Sequence, residues 1–295
     1  MDVYRMLALI ALGYVLKMLV RRDTLFRWLN LFSTRVLLTL FVFGNVAGKD
    51  LEYLVSIRLV FLYVFLIIGL SLGLSYLYAR LRVEDEDWAG GALMILSTYP
   101  NTAAMGFPIA SLFLKDITPP AILYSTTNSL VVLPLATFIA AHYSSGKASI
   151  RRSVLRALKF PPTAANLLAL ALVLLGVRLP GWIIEPIKSI GWWSIPPLLL
   201  IYFGSIMNLR EFRWRHLAEV GLFRSVIPFL FVFLTLRGAG NIYYAVLVEA
   251  SMPPAIMANV ILAHYRLKAE EAIGVTVIQT LLVLAFFLAF AAFVT

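Results

Sequence analysis

Two stretches decide how this chain is read: Tyr99-Pro100-Asn101-Thr102-Ala103-Ala104-Met105-Gly106-Phe107-Pro108, and Glu249-Ala250-Ser251-Met252-Pro253-Pro254-Ala255-Ile256-Met257-Ala258-Asn259. Each lies in the middle of a long apolar run, 88–114 for the first and 241–264 for the second. A proline inside a helix removes a backbone donor and collides with the carbonyl four residues earlier. Both runs are therefore expected to break near their centres. In hydrocarbon such a break survives only against protein or a water-filled cavity, because lipid tails offer the freed carbonyls no partner.

The rest of the chain supplies the hydrocarbon. Of 295 residues, 61% are hydrophobic and 14% charged, with a mean hydropathy of +0.90. Soluble domains run nearer half apolar and a quarter charged, and a protein of this size has too much surface to hide the excess. An all-α membrane protein is expected. A bilayer core needs about 20 apolar residues per helix, and ten stretches meet that need: 3–20, 29–47, 54–79, 88–114, 119–143, 162–178, 194–208, 217–237, 241–264 and 270–293. The runs are too long and too continuous for the alternating strands of a membrane barrel. The first, Met1–Val20, lacks a small-residue cleavage site and runs into Arg21-Arg22, so it is expected to be a retained helix.

The net charge of +10 comes from Lys and Arg scattered over the loops. These form no aromatic-interleaved patch, which excludes a nucleic-acid partner and fits contact with a lipid bilayer. Basic residues concentrate in the connections after helices one, three, five, seven and nine, among them Arg21, Arg22, Arg80, Arg82, Arg151, Arg152, Arg213 and Arg215. The positive-inside rule then places both termini outside a multi-pass plasma-membrane protein. With no Cys, disulfides, iron–sulfur clusters and thiol nucleophiles are excluded. His142, His216 and His264 sit at expected helix ends, where solvated interface residues belong. No two have the i, i+4 spacing of a metal site, and the acidic run Glu84-Asp85-Glu86-Asp87 reads as a loop before a helix. No metal and no cofactor are expected.

Ten helices divide at the basic loop Ser144–Lys159 into two halves, 1–146 and 147–295. An odd number of helices per half forces opposite orientations, the geometry of an inverted repeat. The broken segments are the fourth element of each half. Paired interruptions at matching positions are a pointer to a transport site at the bilayer midplane, whereas Pro134, Pro196, Pro197 and Pro228 stand alone and are expected only to kink their helices.

The motif Asn101-x-x-x-x-Gly106-x-Pro108 resembles the fourth-helix signature of the auxin efflux carrier family. Pro253-Pro254-Ala255-Ile256 with Ala263 and Tyr265 resembles its ninth-helix signature, and Arg224-x-x-x-Pro228 and Gly204 are also similar. The layout extends the resemblance over essentially the whole chain. It implies a scaffold domain and a transport domain whose broken fourth and ninth helices cross, a carrier of small organic anions (auxin-like molecules or other carboxylates), and a homodimer through scaffold helices. The short loop between the halves resembles the compact microbial members. Met257-Ala258-Asn259 departs from the small polar residue that the family tends to place after its Pro-Ala pair.

The candidate substrate-binding residues are Asn101, Thr102, Gly106, Pro108, Asn128, Pro253, Pro254 and Asn259. Half-helices starting after Pro108 and Pro254 would present bare N–H groups and a positive dipole end, which bind anions. Asn101 and Asn259 would each add a donor and an acceptor beside a break. The polar run Ser125-Thr126-Thr127-Asn128 interrupts an apolar helix; backbone bonding or helix packing also accounts for such a run, and Asn128 is its strongest site candidate. Glu249 is the only acidic residue deep in a span. An ionised carboxylate there costs about 2.5–3.5 kcal/mol or more, so it is expected to be protonated, paired with an arginine such as Arg35 or Arg224, or set in a wet cavity, and it is the candidate for proton coupling.

The expectation is a secondary transporter of small organic anions working by alternating access. A sodium- or proton-coupled carrier of the bile-acid-symporter or sodium/proton-antiporter type is the alternative. The antiporter type needs adjacent core acids, and the symporter type needs polar side chains for sodium; both are sparse here. An enzyme is not expected, since no span interior holds an Asp pair and the histidines are peripheral.

Overall fold

The computed structural model describes residues 3–20, 23–56, 58–82, 88–106, 109–110, 118–145, 155, 158–159, 161–205 and 212–294. Among them the chain is helical, and an isolated β-bridge is its one extended pairing. The first half holds α1 (Val3–Val20), α2 (Asp23–Phe32), α3 (Leu38–Ala47), α4 (Leu51–Ser56), α5 (Arg58–Arg82), α6 (Leu93–Thr98) and α7 (Thr118–Ser145). The second holds α8 (Pro161–Leu174), α9 (Gly181–Ser205), α10 (Trp214–Gly221), α11 (Ile227–Thr235), α12 (Asn241–Ala250), α13 (Ile256–Tyr265) and α14 (Ala269–Val294). Single π-helical turns link α2 to α3 (Ser33–Leu37), lead into α6 (Trp88–Ala92), follow the first break (Thr102–Gly106), and link α10 to α11 (Leu222–Val226).

The outer surface is strongly apolar, as a bilayer-facing surface is. Leu19, Leu175 and Trp182 are each at least 75% exposed, in company with many other large apolar side chains. Among the described residues four helices are long and apolar enough to cross a membrane: Arg58–Leu81, Leu123–Ser144, Trp214–Thr235 and Ala269–Phe287. The segments around the breaks fall short of that length because each is split. The described residues thus form an all-helical, membrane-embedded fold.

Two boundaries differ from expectation for physical reasons. The helix expected over 194–208 begins at Gly181. Glu185 and Lys188 gave the stretch before 194 the look of a loop, but they lie one turn apart in α9 and pair at 3.0 Å, so the helix carries both charges at its end. The expected run 29–47 begins at Asp23 and contains a π turn at Ser33–Leu37. Pro134 stays inside α7 without ending it.

The helices pack in two groups. In one, α9 lies against α1 and α3, and α3 against α8. Glycine makes the α1–α9 contact close: a Cβ on Gly13 would stand 2.0 Å from the Ile201 carbonyl oxygen, and one on Gly204 would stand 1.9 Å from that of Ile10. Small residues of this kind bring membrane helices into backbone contact. In the other group α5, α6, α7 and α10–α14 enclose the main core, including Ile67, Trp88, Leu93, Ile95, Leu96, Tyr124 and Val220. The turn Thr102–Gly106 touches α7, α9 and α12, so the first break lies where the groups adjoin.

Candidate functional site

The two proline-split segments meet. Pro100 and Pro254 form an antiparallel bridge: the Asn101 N–H donates to the Pro253 carbonyl at 2.7 Å, and the Ala255 N–H donates to the Tyr99 carbonyl at 2.7 Å. The arrangement is reciprocal. In each segment the residue after the paired proline donates to the carbonyl before the partner's proline. Groups that proline removed from their own helices are thereby satisfied across the gap, as buried backbone requires.

Four ends gather at this bridge. α6 stops at Thr98 and α12 at Ala250; the turn Thr102–Gly106 and α13 begin beyond it. Ala255, before α13, has an extended backbone and no side-chain cap; the Ala258 N–H turns back to the Ala255 carbonyl at 3.0 Å, which leaves the N–H groups of Ile256 and Met257 without an acceptor among the described residues. Arg224, from the π turn between α10 and α11, is fully buried. It donates to the Ser97 carbonyl at 3.0 Å and to the Ala250 carbonyl at 2.9 Å.

The side chains around the bridge divide into engaged and unengaged groups. Ser125 donates to Thr102 at 2.8 Å, tying α7 to the turn after the first break. Asn259 is bonded to Thr276 of α14 at 3.0 Å, so its carboxamide is occupied. Asn128 is wholly buried, and neither its oxygen nor its nitrogen has a partner among the described residues. Asn101 keeps 6% of its surface. Pro108 and the start of its half-helix lie outside the described residues.

Glu249 is also wholly buried, and its two oxygens lack a hydrogen-bond partner among the described residues. Neither arginine considered for it forms an ion pair with it: Arg35 is exposed, and the Arg224 bonds go to carbonyls. Its carboxyl rests against Gly106 so closely that a Cβ there would stand 2.0 Å from Oε2. The Gly106 φ is not left-handed; space is what calls for glycine. A cavity of about 320 Å³ reaches Ser251 and is walled by Gln279, Phe229, Leu282, Phe286 and Phe287.

The sequence matches a family model described as membrane transport protein over residues 144–291. The chain belongs to that family. This is the auxin efflux carrier resemblance of the two motifs, now carried by a match that takes in Arg224, Glu249 and the whole second break. A protein of Methanocaldococcus jannaschii, named as an uncharacterized transporter, is similar at 25% identity over 260 residues, covering 82% of this chain and 80% of its own.

In this membrane transport protein several site groups escaped sequence reasoning. Arg224 was seen only as a motif residue and a possible partner for Glu249. An arginine inside the apolar span 217–237 is itself the signal. Ser97 and Tyr124 are buried hydroxyls without partners among the described residues; each adjoins a stretch that the sequence marks, Ser97 the first break and Tyr124 the polar run 125–128. His216 differs from expectation: it is 3% exposed, stacked on Trp88 at 3.9 Å, with Nδ1 2.7 Å from Glu271. Beside it Glu219 accepts from Tyr78, Trp88 and Arg215. This network ties α5, the turn leading into α6, α10 and α14 at one end of the bundle. Among the described residues no cluster of His, Asp and Glu could hold a metal.

Proposed function

We propose that this protein is a secondary transporter that carries a small organic anion across the plasma membrane by alternating access. In this reading ten membrane-crossing segments form two inverted five-helix repeats, 1–146 and 147–295, and the two interrupted segments cross at the Pro100–Pro254 bridge. The observation that carries it is that bridge, with α13 opening toward it uncapped; in α7, whose Ser125 is bonded to Thr102 after the first break, the Asn128 carboxamide is buried without a partner among the described residues. A carboxylate suits such a place: bare N–H groups and a helix dipole favour negative charge, and an amide supplies orientation. Asn101, Thr102, Gly106, Pro108, Pro253, Pro254 and Asn259 shape the remainder, Asn259 by holding α13 to α14. The group of α1, α3, α8 and α9 serves as the scaffold and the surface for a homodimer, while the other group moves.

Glu249 favours proton coupling within this reading. An ionisable group buried inside a span marks a proton or ion pathway, and the contact of the Glu249 carboxyl with Gly106 sets it against the turn that follows the first break. The carrier reading is tested by counterflow in liposomes: labelled carboxylate should accumulate transiently against unlabelled carboxylate trapped inside. Uptake that is linear and indifferent to the trapped compound would mean a channel, and the carrier would be abandoned.

A further inference from the structure

The two carbonyls that Arg224 binds have a common history. In an unbroken helix Ser97 would receive the N–H of Asn101, but that N–H is spent on Pro253 across the bridge. Ala250 would receive the N–H of residue 254, which is proline and has none. Each acceptor lies three residues before the first proline of its break, Pro100 in one case and Pro253 in the other. Both belong to the last turn of a half-helix, the negative end of its dipole. One buried guanidinium therefore closes both orphan positions at once, at 3.0 and 2.9 Å.

Carriers built on broken helices use such carbonyl ends to coordinate a coupling cation. We propose that Arg224 is a tethered cation in that position, so that this transporter needs no sodium ion to complete its site. The guanidinium is planar, always charged and forked, which lets it reach one carbonyl on each helix. With the negative ends neutralised from within, the field left at the bridge is that of the half-helix N-termini, which selects an anion. Arg224 is thus a positioning residue that sets ion dependence. The inference rests on the carrier reading only for calling the absent ion a coupling ion; the occupancy of the carbonyl ends is independent of it.

The experiment uses purified full-length protein without substrate and compares thermal midpoints in sodium chloride and choline chloride at equal ionic strength. Wild type should give the same midpoint in both. Arg224→Lys, which keeps the charge, should do likewise. Arg224→Gln keeps a donor but loses the charge, and should become more stable in sodium than in choline. Arg224→Ala should lose stability and regain about half the lost midpoint in millimolar guanidinium, a concentration that leaves wild type unmoved; cavity and charge together make a strong loss on truncating a buried charged group. If Arg224→Ala yields no folded protein, Arg224→Gln carries the guanidinium arm as well. A sodium response in wild type would overturn the proposal, because the cation position would then be vacant. So would indifference of the charge-removing variants to both sodium and guanidinium, which would leave Arg224 a strut. Neither outcome touches counterflow, so a failure here is separable from a failure of the carrier reading.

Discussion

Replacing Gly106 by alanine probes the contact between the first break and Glu249. The added Cβ would stand 2.0 Å from Oε2, 2.5 Å from Cδ and 2.7 Å from Oε1 of the Glu249 carboxyl. Real contacts of that kind stay beyond 3.0 Å, so the carboxyl must retreat by about 1 Å in a fully buried site. Because the atoms displaced are the far end of one flexible side chain, the cost lies toward the lower end of the roughly 1–3 kcal/mol typical of overpacking. At roughly 2–4 °C per kcal/mol for chains near this length, the thermal midpoint should fall by a few degrees. Tryptophan fluorescence of detergent-solubilised protein reads it. Gly73→Ala is the control: its Cβ meets nothing within 4 Å in α5, and a helical alanine there should be neutral or stabilise by up to about 1 kcal/mol. Because the clash is with one side chain, Glu249→Ala should relieve it, whereas Glu249→Gln, with nearly the same shape, should not. A coupling of about 1 kcal/mol or more in that double-mutant cycle is expected. Gly106→Ala unfolding with wild type, or failing to be relieved by Glu249→Ala, would refute the argued contact.

Asn128→Leu removes two buried polar atoms that have no partners among the described residues, each worth about 1–3 kcal/mol when unsatisfied. The variant should be at least as stable as wild type yet fail to bind carboxylate in a thermal-shift titration. Glu249→Gln should insert and fold normally while flattening the pH dependence of uptake in liposomes; an unchanged profile would end the role assigned to Glu249. Gly204→Val should separate α1 from α9, since even a Cβ there would stand 1.9 Å from the Ile10 carbonyl oxygen. A loss of about 1–3 kcal/mol is expected from overpacking, read as a lower thermal midpoint with carboxylate affinity retained in the protein that folds.

The breaks were legible in the sequence because proline acts locally: Pro100 and the Pro253-Pro254 pair end α6 and α12 wherever the rest of the chain goes. The membrane setting was equally legible, being a matter of composition. What joins the breaks was not legible, since the bonds Asn101 to Pro253 and Ala255 to Tyr99 pair residues about 150 positions apart and involve backbone alone. Among side chains the same division holds. Asn128 and Glu249 stood out as polar groups in apolar runs, and both prove buried without hydrogen-bond partners among the described residues. Asn259 stood out for the same reason but is committed to Thr276, a threonine whose own helix gave no hint of it. Charge misled in both directions. Glu185 and Lys188 disguised the start of α9, while His216 looked peripheral in the sequence and is buried by packing of α6 and α14 around α10.

The central claim is that the paired breaks hold an anion, and it is tested most directly by equilibrium binding of a small carboxylate and its uncharged primary amide to the same purified protein. The account predicts that the carboxylate binds and the amide does not compete with it, and that Asn128→Leu abolishes the difference by abolishing carboxylate binding. Equal affinity for acid and amide, or full carboxylate binding by Asn128→Leu, would contradict it.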